Sequence, residues 1–240
     1  MNLRRMLGSL LATCAILFNL STLLSLAQAE EGGNQLAATI LSESGVSGGI
    51  VVHVECGGGE LIQALGARQS LIVHGLAKDP TEVARTRKKL MEAGVYGPVS
   101  VDRWDGVQLP YADNLVNLLI CDSSVQLDSA ELQRVLVPNG VACIRNGGKW
   151  SISKKARPTE IDEWTHFLHD ATGNPVAKDS TVGPPRRLQW VGSPRWARHH
   201  DHMASMTSLV SSNGRLFYIF DEGPTASIQL PSDWKLIGRD

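Results

Sequence analysis

Short runs of apolar, β-branched residues alternate with helix-like segments between residues 36 and 145. The pattern predicts strands over residues 50–55, 70–76, 99–101, 115–121 and 141–145, and helices over residues 36–44, 60–65, 80–93 and 129–136. Asp79 and Pro80 mark the start of the third helix, and Gly94 marks its end. Strands that alternate with helices form right-handed crossovers, so this region is predicted to be an α/β domain with a parallel sheet.

The pattern changes at Lys149, after which Pro, Gly, Trp and His become frequent. Two strand-like runs, 206–211 and 215–221, flank an Asn213-Gly214 pair, which is a strong hairpin signal. Residues 234–239 predict one more strand. We therefore divide the chain into an α/β domain (30–148), a Trp/His-rich linker or approach to a second domain (149–205) and a β segment (206–240).

The first 29 residues have the layout of a signal peptide. Arg4 and Arg5 precede an apolar run over residues 6–26, and Ala27-Gln28-Ala29 fits a small-x-small cleavage site. We expect cleavage after Ala29 and a periplasmic or secreted protein that meets the membrane only through this segment. An uncleaved anchor is the alternative, because the apolar run approaches the length that spans a bilayer.

The composition is that of a globular protein, with 42% hydrophobic and 20% charged residues and a net charge of −1. The charge is uneven, since residues 30–144 carry 8 Lys and Arg against 14 Asp and Glu, and residues 145–202 carry 10 against 6. This asymmetry favours two modules, with a solvated linker as the alternative for the basic part. The basic residues form no stripe with interleaved aromatics, which argues against nucleic acid as a partner and leaves a small molecule or a protein.

Three cysteines remain after the expected cleavage: Cys56, Cys121 and Cys143. All three lie in or at the end of apolar runs, which favours buried free thiols. A Cys56–Cys121 disulfide is the alternative, and it requires Cα atoms closer than about 7 Å.

A glycine-rich loop follows the first predicted strand, in the sequence IVVHVECGGGEL over residues 50–61. Gly57, Gly58 and Gly59 allow the backbone to approach a ligand closely, and the helix that follows offers free N–H groups. The loop therefore predicts a ligand cradle at the carboxyl end of this strand.

Residues 48–145 resemble the class I S-adenosylmethionine-dependent methyltransferases. Four segments in order carry the resemblance: HVECGGGEL (53–61), VHGLAKDPTEVAR (73–85), WDGVQLPYADNLVNLLI (104–120) and ELQRVLVPNGVACI (131–144). The resemblance implies a Rossmann-like parallel sheet. It also implies that the loop at Gly57–Gly59 holds the cofactor, with Asp105 near its adenine amino group.

Three positions depart from the family's pattern. His53 replaces an acidic residue before the loop, Glu55 replaces the first glycine, and Ala77 replaces the acidic residue that holds the ribose hydroxyls. A carboxylate at position 55 fills space and repels the cofactor's own carboxylate, by about 1 kcal/mol at 4 Å in water and roughly 4 near a protein surface. Export would also separate the protein from a cytosolic cofactor. We therefore interpret the domain as a degenerate methyltransferase-like module with a binding or scaffold role, and keep an active methyltransferase as the alternative.

Residues from about 160 onward resemble the start of a β-propeller of the pyrroloquinoline-quinone (PQQ) type. SLVSSNGRLFYIFD (208–221) and WKLIGRD (234–240) carry this resemblance. A propeller needs several four-stranded blades to close. The resemblance therefore implies an incomplete propeller, a fragment of a longer protein and quinoprotein-like redox work in a full-length form. A β extension packed on the α/β domain is the alternative.

Five histidines have ligand-like density: His166, His169, His199, His200 and His202. Imidazole suits zinc, copper or iron, and spacing of i, i+3 would place His166 and His169 on one helix face. The alternative is a set of hydrogen-bonding loop residues. Arg186, Arg187, Arg195 and Arg198 are candidates for binding an anionic quinone, because Arg forms bidentate contacts to carboxylates.

Overall fold

The fold is taken from a computed structural model of the whole chain. It describes residues 31–122, 127–180, 205–227 and 229–239, together with Gln28, Ser124, Val125 and Gly183. The predicted signal segment apart from Gln28, the four arginines of the predicted quinone site and the predicted metal ligands His199, His200 and His202 lie outside the described residues. Two compact units divide between Ala156 and Arg157.

Within the described residues, the first unit, which we call the α/β unit, contains four helices and six strands. The described part of helix α1 covers residues 31–44, and the other helices are α2 (Glu60–Gly66), α3 (Pro80–Glu92) and α4 (Ser129–Val135). The strands are β1 (Gly49–Val54), β2 (Leu71–Ala77), β3 (Val99–Arg103), β4 (Val116–Asp122), β5 (Leu136–Asn146) and β6 (Lys149–Lys154). Each predicted helix and strand of this unit is present.

The six strands form one sheet in the order β3-β2-β1-β4-β5-β6. The first five are parallel, and β6 pairs antiparallel with β5. Strands β2 and β3 follow β1 on one side of it, and β4, β5 and β6 follow on the other side. This confirms the Rossmann-like α/β fold, and it places the point where the strand order reverses between β1 and β4.

Alternating strand residues give the sheet two apolar faces. Val51, Val73 and Leu118 lie on the face that packs against α1, α2 and α3, and all three are fully buried. Val52, Leu76 and Leu119 lie on the other face with α4. A strand covered on both faces reads as continuously apolar, which is why residues 115–121 predicted β4 so clearly.

A charged clamp fixes the loop between β3 and β4 to helix α4. The Glu131 carboxylate accepts hydrogen bonds from the Arg134 side chain and from the Leu109 backbone N–H, each at 2.7 Å. Arg134 also donates to the carbonyl oxygens of Leu109 and Tyr111. Hydrogen bonds from Arg134, joined by that from Leu109, hold the pKa of Glu131 below its ordinary value of 4.5 despite partial burial.

Glu131→Gln is expected to lower the free energy of unfolding at pH 7 by about 1.5 kcal/mol, since hydrogen bonds to charged groups are worth about 1.5–3 kcal/mol. Because the folded-state pKa is depressed, the carboxylate's contribution is complete above the unfolded pKa and is lost as the pH falls through the folded one. Urea unfolding between pH 3 and pH 7 (roughly the range in which carboxylates titrate) tests this. The difference between wild type and variant should shrink toward acid, and a constant difference would contradict the expectation.

The second unit, which we call the C-terminal unit, contains one three-stranded antiparallel sheet in the order β7-β8-β9. Its strands are β7 (Met206–Ser212), β8 (Arg215–Asp221) and β9 (Trp234–Arg239). Asn213 and Gly214 both have positive φ, 52° and 81°, as a tight hairpin turn requires. The hairpin and the third strand are confirmed, and within the described residues the unit forms this one sheet, not a closed propeller.

The Trp/His-rich segment is anchored to this sheet by hydrogen bonds. The Trp164 backbone N–H donates to Ser211 Oγ at 3.0 Å, and the Ser211 N–H donates to the Trp164 carbonyl at 2.7 Å. The Asn213 N–H donates to the Glu163 carboxylate. These bonds pair part of the outer edge of β7, which limits its exposure as a free strand edge.

The three cysteines of the α/β unit are buried free thiols, as the apolar pattern predicted, and the Cys56–Cys121 disulfide is wrong. Burial raises the pKa of Cys56 to about 12 and those of Cys121 and Cys143 to about 11, so the thiols stay protonated near neutral pH. None of the helices within the described residues is both long and apolar enough to traverse a bilayer.

Candidate functional site

A cavity of about 420 Å³ opens in the α/β unit at the switch point between β1 and β4. This is where ligands bind in open α/β sheets. The ends of β1, β4 and β5 contribute to it, together with residues 32–36 of α1 and the glycine loop. Its lining is Gly32, Gly33, Leu36, His53, Glu55, Cys56, Gly57, Gly58, Glu60, Leu61, Cys121, Asp122, Arg145 and Trp150. We call this the switch-point cavity.

Two hydrogen bonds to neighbouring elements hold the glycine loop in place. The Cys56 N–H donates to the Leu76 carbonyl at 3.0 Å, and Thr86 Oγ1 donates to the Gly57 carbonyl at 3.2 Å. Gly57 and Gly59 both have positive φ, at 56° and 82°. A Cβ on Gly57 would meet no protein atom within 4 Å. The loop is thus open on the side where a ligand can approach the backbone.

Glu55 also has a left-handed backbone, with φ at 55°. Such a conformation suits glycine and costs a residue with a Cβ about 1–2 kcal/mol. The backbone here keeps the conformation of a glycine-rich loop while the side chain at this position is a carboxylate.

Two lining residues have buried polar atoms without a hydrogen-bond partner, His53 Nδ1 and Glu55 Oε1. Burial lowers the pKa of His53 to about 4, so its imidazole is neutral at physiological pH. Lys78 Nζ lies 4.0 Å from Glu55 Oε1, beyond hydrogen-bond distance, and over the Trp104 ring. Buried polar atoms without a hydrogen-bond partner are rare in proteins, so both atoms are candidates for contact with a ligand.

The cavity lining carries more negative than positive charge. Glu60 is neutralised by Lys89 Nζ at 2.9 Å. Hydrogen bonds from the Ser124 backbone and side chain hold the pKa of Asp122 below its ordinary value. The other acidic residues of the lining are Asp122 and Glu55, whose Oε1 lies 4.0 Å from Lys78 Nζ, and Arg145 is the basic residue of the lining. This set suits a ligand with a cationic group and one anionic group.

The predicted cofactor residues are only partly brought together. Glu55, Gly57 and Gly58 line the cavity, whereas Gly59, Ala77 and Asp105 do not. Gly59 stands at the start of α2, where a Cβ would lie 2.6 Å from Thr86 Cγ2.

Neither Ala77 nor Asp105 supplies a free polar group to the cavity. Ala77 is fully buried and offers a methyl group. Asp105 is exposed, and its Oδ1 accepts from the Val107 N–H at 2.9 Å within a turn.

Sequence reasoning missed several lining residues, among them Asp122, Arg145 and Trp150. Asp122 and Arg145 carried a usable signal, because each lies at the carboxyl end of an apolar run and parallel strands end at the same edge. Trp150 lies on β6, a strand that was assigned to the linker, although Trp150 and Ile152 alternate with Ser151 and Ser153.

His166 and His169 do not share a helix face, so that expectation is wrong. They form a bridged turn in which the His166 N–H donates to the His169 carbonyl. His169 is buried, and its Nε2 lies 2.7 Å from Asp162 Oδ2. Among the described residues no group of three or more His, Cys, Asp or Glu side chains is arranged to hold a metal ion. The predicted metal site as a whole stays a prediction.

The switch-point cavity fits one half of S-adenosylmethionine. The unpaired atoms of Glu55 and His53 suit its ammonium group, Arg145 suits its carboxylate, and the open side of Gly57 leaves room along the backbone. The ribose half finds no carboxylate at Ala77.

No protein-family model and no curated protein matches the sequence. Solved structures with a similar fold include S-adenosylmethionine-dependent methyltransferases. One is a Methanococcus maripaludis protein proposed to be such an enzyme (22% identity, TM-score 0.44, 48% of this chain and 56% of that one). Others are a methyltransferase from Aquifex aeolicus (20%, 0.41, 45% and 62%) and geranyl diphosphate C-methyltransferase from Streptomyces coelicolor (16%, 0.42, 46% and 44%). The chain spans about half the length of these structures, and the likeness is one of fold alone.

Proposed function

We propose that the α/β unit binds S-adenosylmethionine in the switch-point cavity and acts as a methyltransferase. The observation that carries the proposal is the cavity itself. It lies at the reversal of strand order, is walled by a glycine loop with an open side, and combines a carboxylate oxygen that has no hydrogen-bond partner with a guanidinium. When bound, the cofactor supplies an electrophilic methyl group.

The chain's own residues would bind and orient the ligand. Glu55 and His53 accept hydrogen bonds from a donor group, and Arg145 holds a carboxylate. Cys56, Cys121 and Leu36 provide apolar parts of the cavity wall. Since the thiols of both cysteines are protonated near neutral pH, they contribute packing and no charge.

Gly57→Ala is expected to weaken the binding of S-adenosylmethionine at least tenfold, because the added Cβ projects into the open side of the loop. Gly94→Ala is the matched control, since Gly94 also has positive φ (68°) and open space, but lies outside the cavity. Both variants bear the same strain of about 1–2 kcal/mol. Titration calorimetry on the full chain measures the affinities.

Wild-type protein should give saturable binding heat. The lack of binding up to about 1 mM cofactor, which corresponds to about 4 kcal/mol of binding free energy, would contradict the proposal. Equal losses of affinity in Gly57→Ala and Gly94→Ala would show that backbone strain, and not contact with the cavity, governs the binding of S-adenosylmethionine.

Binding without methyl transfer is the second candidate function, favoured by Ala77 and Asp105, which give the ribose half no free carboxylate. It corresponds to the binding or scaffold role expected for an exported protein. Release of S-adenosylhomocysteine when the chain is incubated with cofactor and cell extract separates the two. If the wild-type chain releases more S-adenosylhomocysteine than Gly57→Ala does, the chain is an enzyme. Saturable binding of S-adenosylmethionine without this release favours the binding module.

We also propose that the N-terminal segment directs export. The support is the charge and apolar pattern of residues 1–29. N-terminal sequencing of protein recovered from the periplasm tests this proposal.

We further propose a propeller-type role for the C-terminal unit. The support is the antiparallel order β7-β8-β9. The optical spectrum of full-length protein incubated with PQQ tests this proposal.

A further inference from the structure

We propose that the outer edge of β9 is an interface at which two copies of this chain pair, strand against strand, around a two-fold axis beside Leu236. The partner is therefore a second copy of the chain. The interaction surface is the backbone of Trp234–Arg239 together with the side chains that border it. The inference concerns the C-terminal unit and does not depend on ligand binding by the α/β unit.

The two edges of the C-terminal sheet differ. The edge of β7 is partly covered, because Ser211 exchanges hydrogen bonds with the backbone of Trp164. Among the residues that the structure describes, no strand pairs with the outer side of β9. Proteins commonly block such an edge with a proline, a bulge or a charge. β9 has no proline and no register shift, and the charge of Lys235 is neutralised by Glu222 and Asp233, so the edge is available for pairing.

One hydrogen bond shows which backbone groups of β9 point outward. The Glu222 N–H donates to the Asp233 carbonyl at 2.9 Å, so the Asp233 carbonyl is directed toward β8. Because this direction alternates along an antiparallel strand, the N–H and C=O groups of Trp234, Leu236 and Gly238 point away from β8. With Leu236 opposite the second copy's Leu236, Trp234 lies opposite the second copy's Gly238. Every outward group of these three residues then gains a partner.

The apolar side chains fit this register. Leu236 is 75% exposed and meets the second copy's Leu236. Trp234 covers the second copy's Gly238, an arrangement in which an aromatic ring protects a strand glycine. Ile219 of β8 lies directly opposite Leu236 and is also exposed, so an apolar row borders the edge on one face of the sheet. Contiguous exposed apolar side chains mark interaction surfaces, and a second copy covers part of this row.

The charges at the two ends of β9 are complementary in the same register. Asp233 lies opposite the second copy's Arg239, and the two-fold symmetry repeats this pair of opposite charges. Arg239 Nε donates to the Tyr218 hydroxyl at 2.9 Å, and a guanidinium has further donors for a carboxylate. A register shifted by two residues would set Lys235 against the second copy's Lys235 or Arg239, and like charges in direct opposition are destabilising. The charge pattern therefore selects the register centred on Leu236.

The test is sedimentation velocity on the full chain between about 1 and 300 μM, since an interface of one strand is small and its affinity is expected to be modest. The wild-type chain should form dimers. Leu236→Lys should weaken dimerisation about tenfold or more, because it sets two ammonium groups against each other at the axis. Val107→Lys is the matched control: Val107 is 77% exposed but lies in the α/β unit, so dimerisation should stay within about twofold of wild type.

A charge exchange tests the register itself. Arg239→Asp sets Asp against Asp, and Asp233→Arg sets Arg against Arg, so each variant alone should dimerise about tenfold more weakly than wild type. An equimolar mixture of the two variants should recover dimers, because every Asp of one chain then faces an Arg of the other. Circular dichroism checks the folding of each variant.

Each outcome supports or overturns the proposal. A wild-type chain that stays monomeric over this range overturns it, as does a Leu236→Lys variant that dimerises as tightly as Val107→Lys. Failure of the mixed charge variants to recover dimers overturns the pairing centred on Leu236. Hydrogen exchange identifies other occupants of the edge. Protection of the Trp234, Leu236 and Gly238 amides that rises with chain concentration supports a second copy, whereas protection in the monomer means that another segment covers the edge and the proposal is wrong.

Discussion

Gly75→Val is expected to destabilise the α/β unit by about 3 kcal/mol, at the upper end of the usual cost of overpacking a core. Gly75 lies on β2 beside His53 of β1, and a Cβ there would stand 2.7 Å from Cys56 Sγ and 3.0 Å from Ile62 Cδ1. Both neighbours are buried, so neither can move away freely. There is no room at this position even for a Cβ atom, and valine adds two methyl groups to it.

The same substitution should abolish ligand binding in the switch-point cavity, because Cys56 begins the glycine loop and would be displaced. Hydrogen exchange of peptides from residues 49–146 in increasing urea measures the stability of this unit separately. Gly32→Val is the control for stability alone, because Gly32 itself lines the switch-point cavity; a Cβ at Gly32 meets nothing within 4 Å, so stability should change by no more than about 0.5 kcal/mol. Similar losses in the two variants would mean that the close approach at Gly75 does not limit the fold.

The elements that could be predicted from the sequence are those specified by local chemistry. Asp79 accepts from the Thr81 N–H and Pro80 occupies the first turn, so the start of α3 was readable from three residues. Asn213-Gly214 likewise fixed the hairpin of the C-terminal unit. These signals act over two to four residues and do not depend on the rest of the fold.

Strand β6 shows why part of the fold was missed. It carries Trp150 and Ile152 in alternation with serines, but it follows a Gly147-Gly148 turn and lies next to a segment rich in Pro and His. What makes it a strand is pairing with β5, for example Ile152 opposite Cys143, and that contact has no local signature. The composition of the segment predicted a linker, whereas pairing with β5 makes it a strand.

The sequence predicts the position of the switch-point cavity, but not the charged side chains that line it. The glycine loop located the cavity, because strand, loop and helix follow one another in the chain. Asp122 and Arg145, 23 residues apart by their numbering, join it only because β4 and β5 end at the same edge. The sequence interpretation of Glu55 as a repulsive group was made without Arg145, which lines the same cavity and can compensate a ligand's carboxylate.

Glu55→Gly is expected to raise the free energy of unfolding by about 1 kcal/mol, since it removes left-handed strain worth about 1–2 kcal/mol and adds back part of that as unfolded-chain entropy. It also removes a buried oxygen without a partner. At the same time it should weaken the binding of S-adenosylmethionine at least tenfold, through loss of the proposed ammonium contact. Hydrogen exchange and titration calorimetry on one preparation measure both effects.

Asn139→Gly is the matched control, because Asn139 also has positive φ (66°) and does not line the cavity. Asn tolerates this conformation better than Glu, so its replacement should give a smaller gain in stability and no change in binding. A variant at position 55 that is more stable yet binds worse means that the strained carboxylate is kept for a ligand. A variant at position 55 that is more stable and binds S-adenosylmethionine better means that the carboxylate does not serve the ligand. Glu55 would then obstruct a cradle that glycine restores, and its proposed contact with the ammonium group would be wrong while the cavity remained a cofactor site.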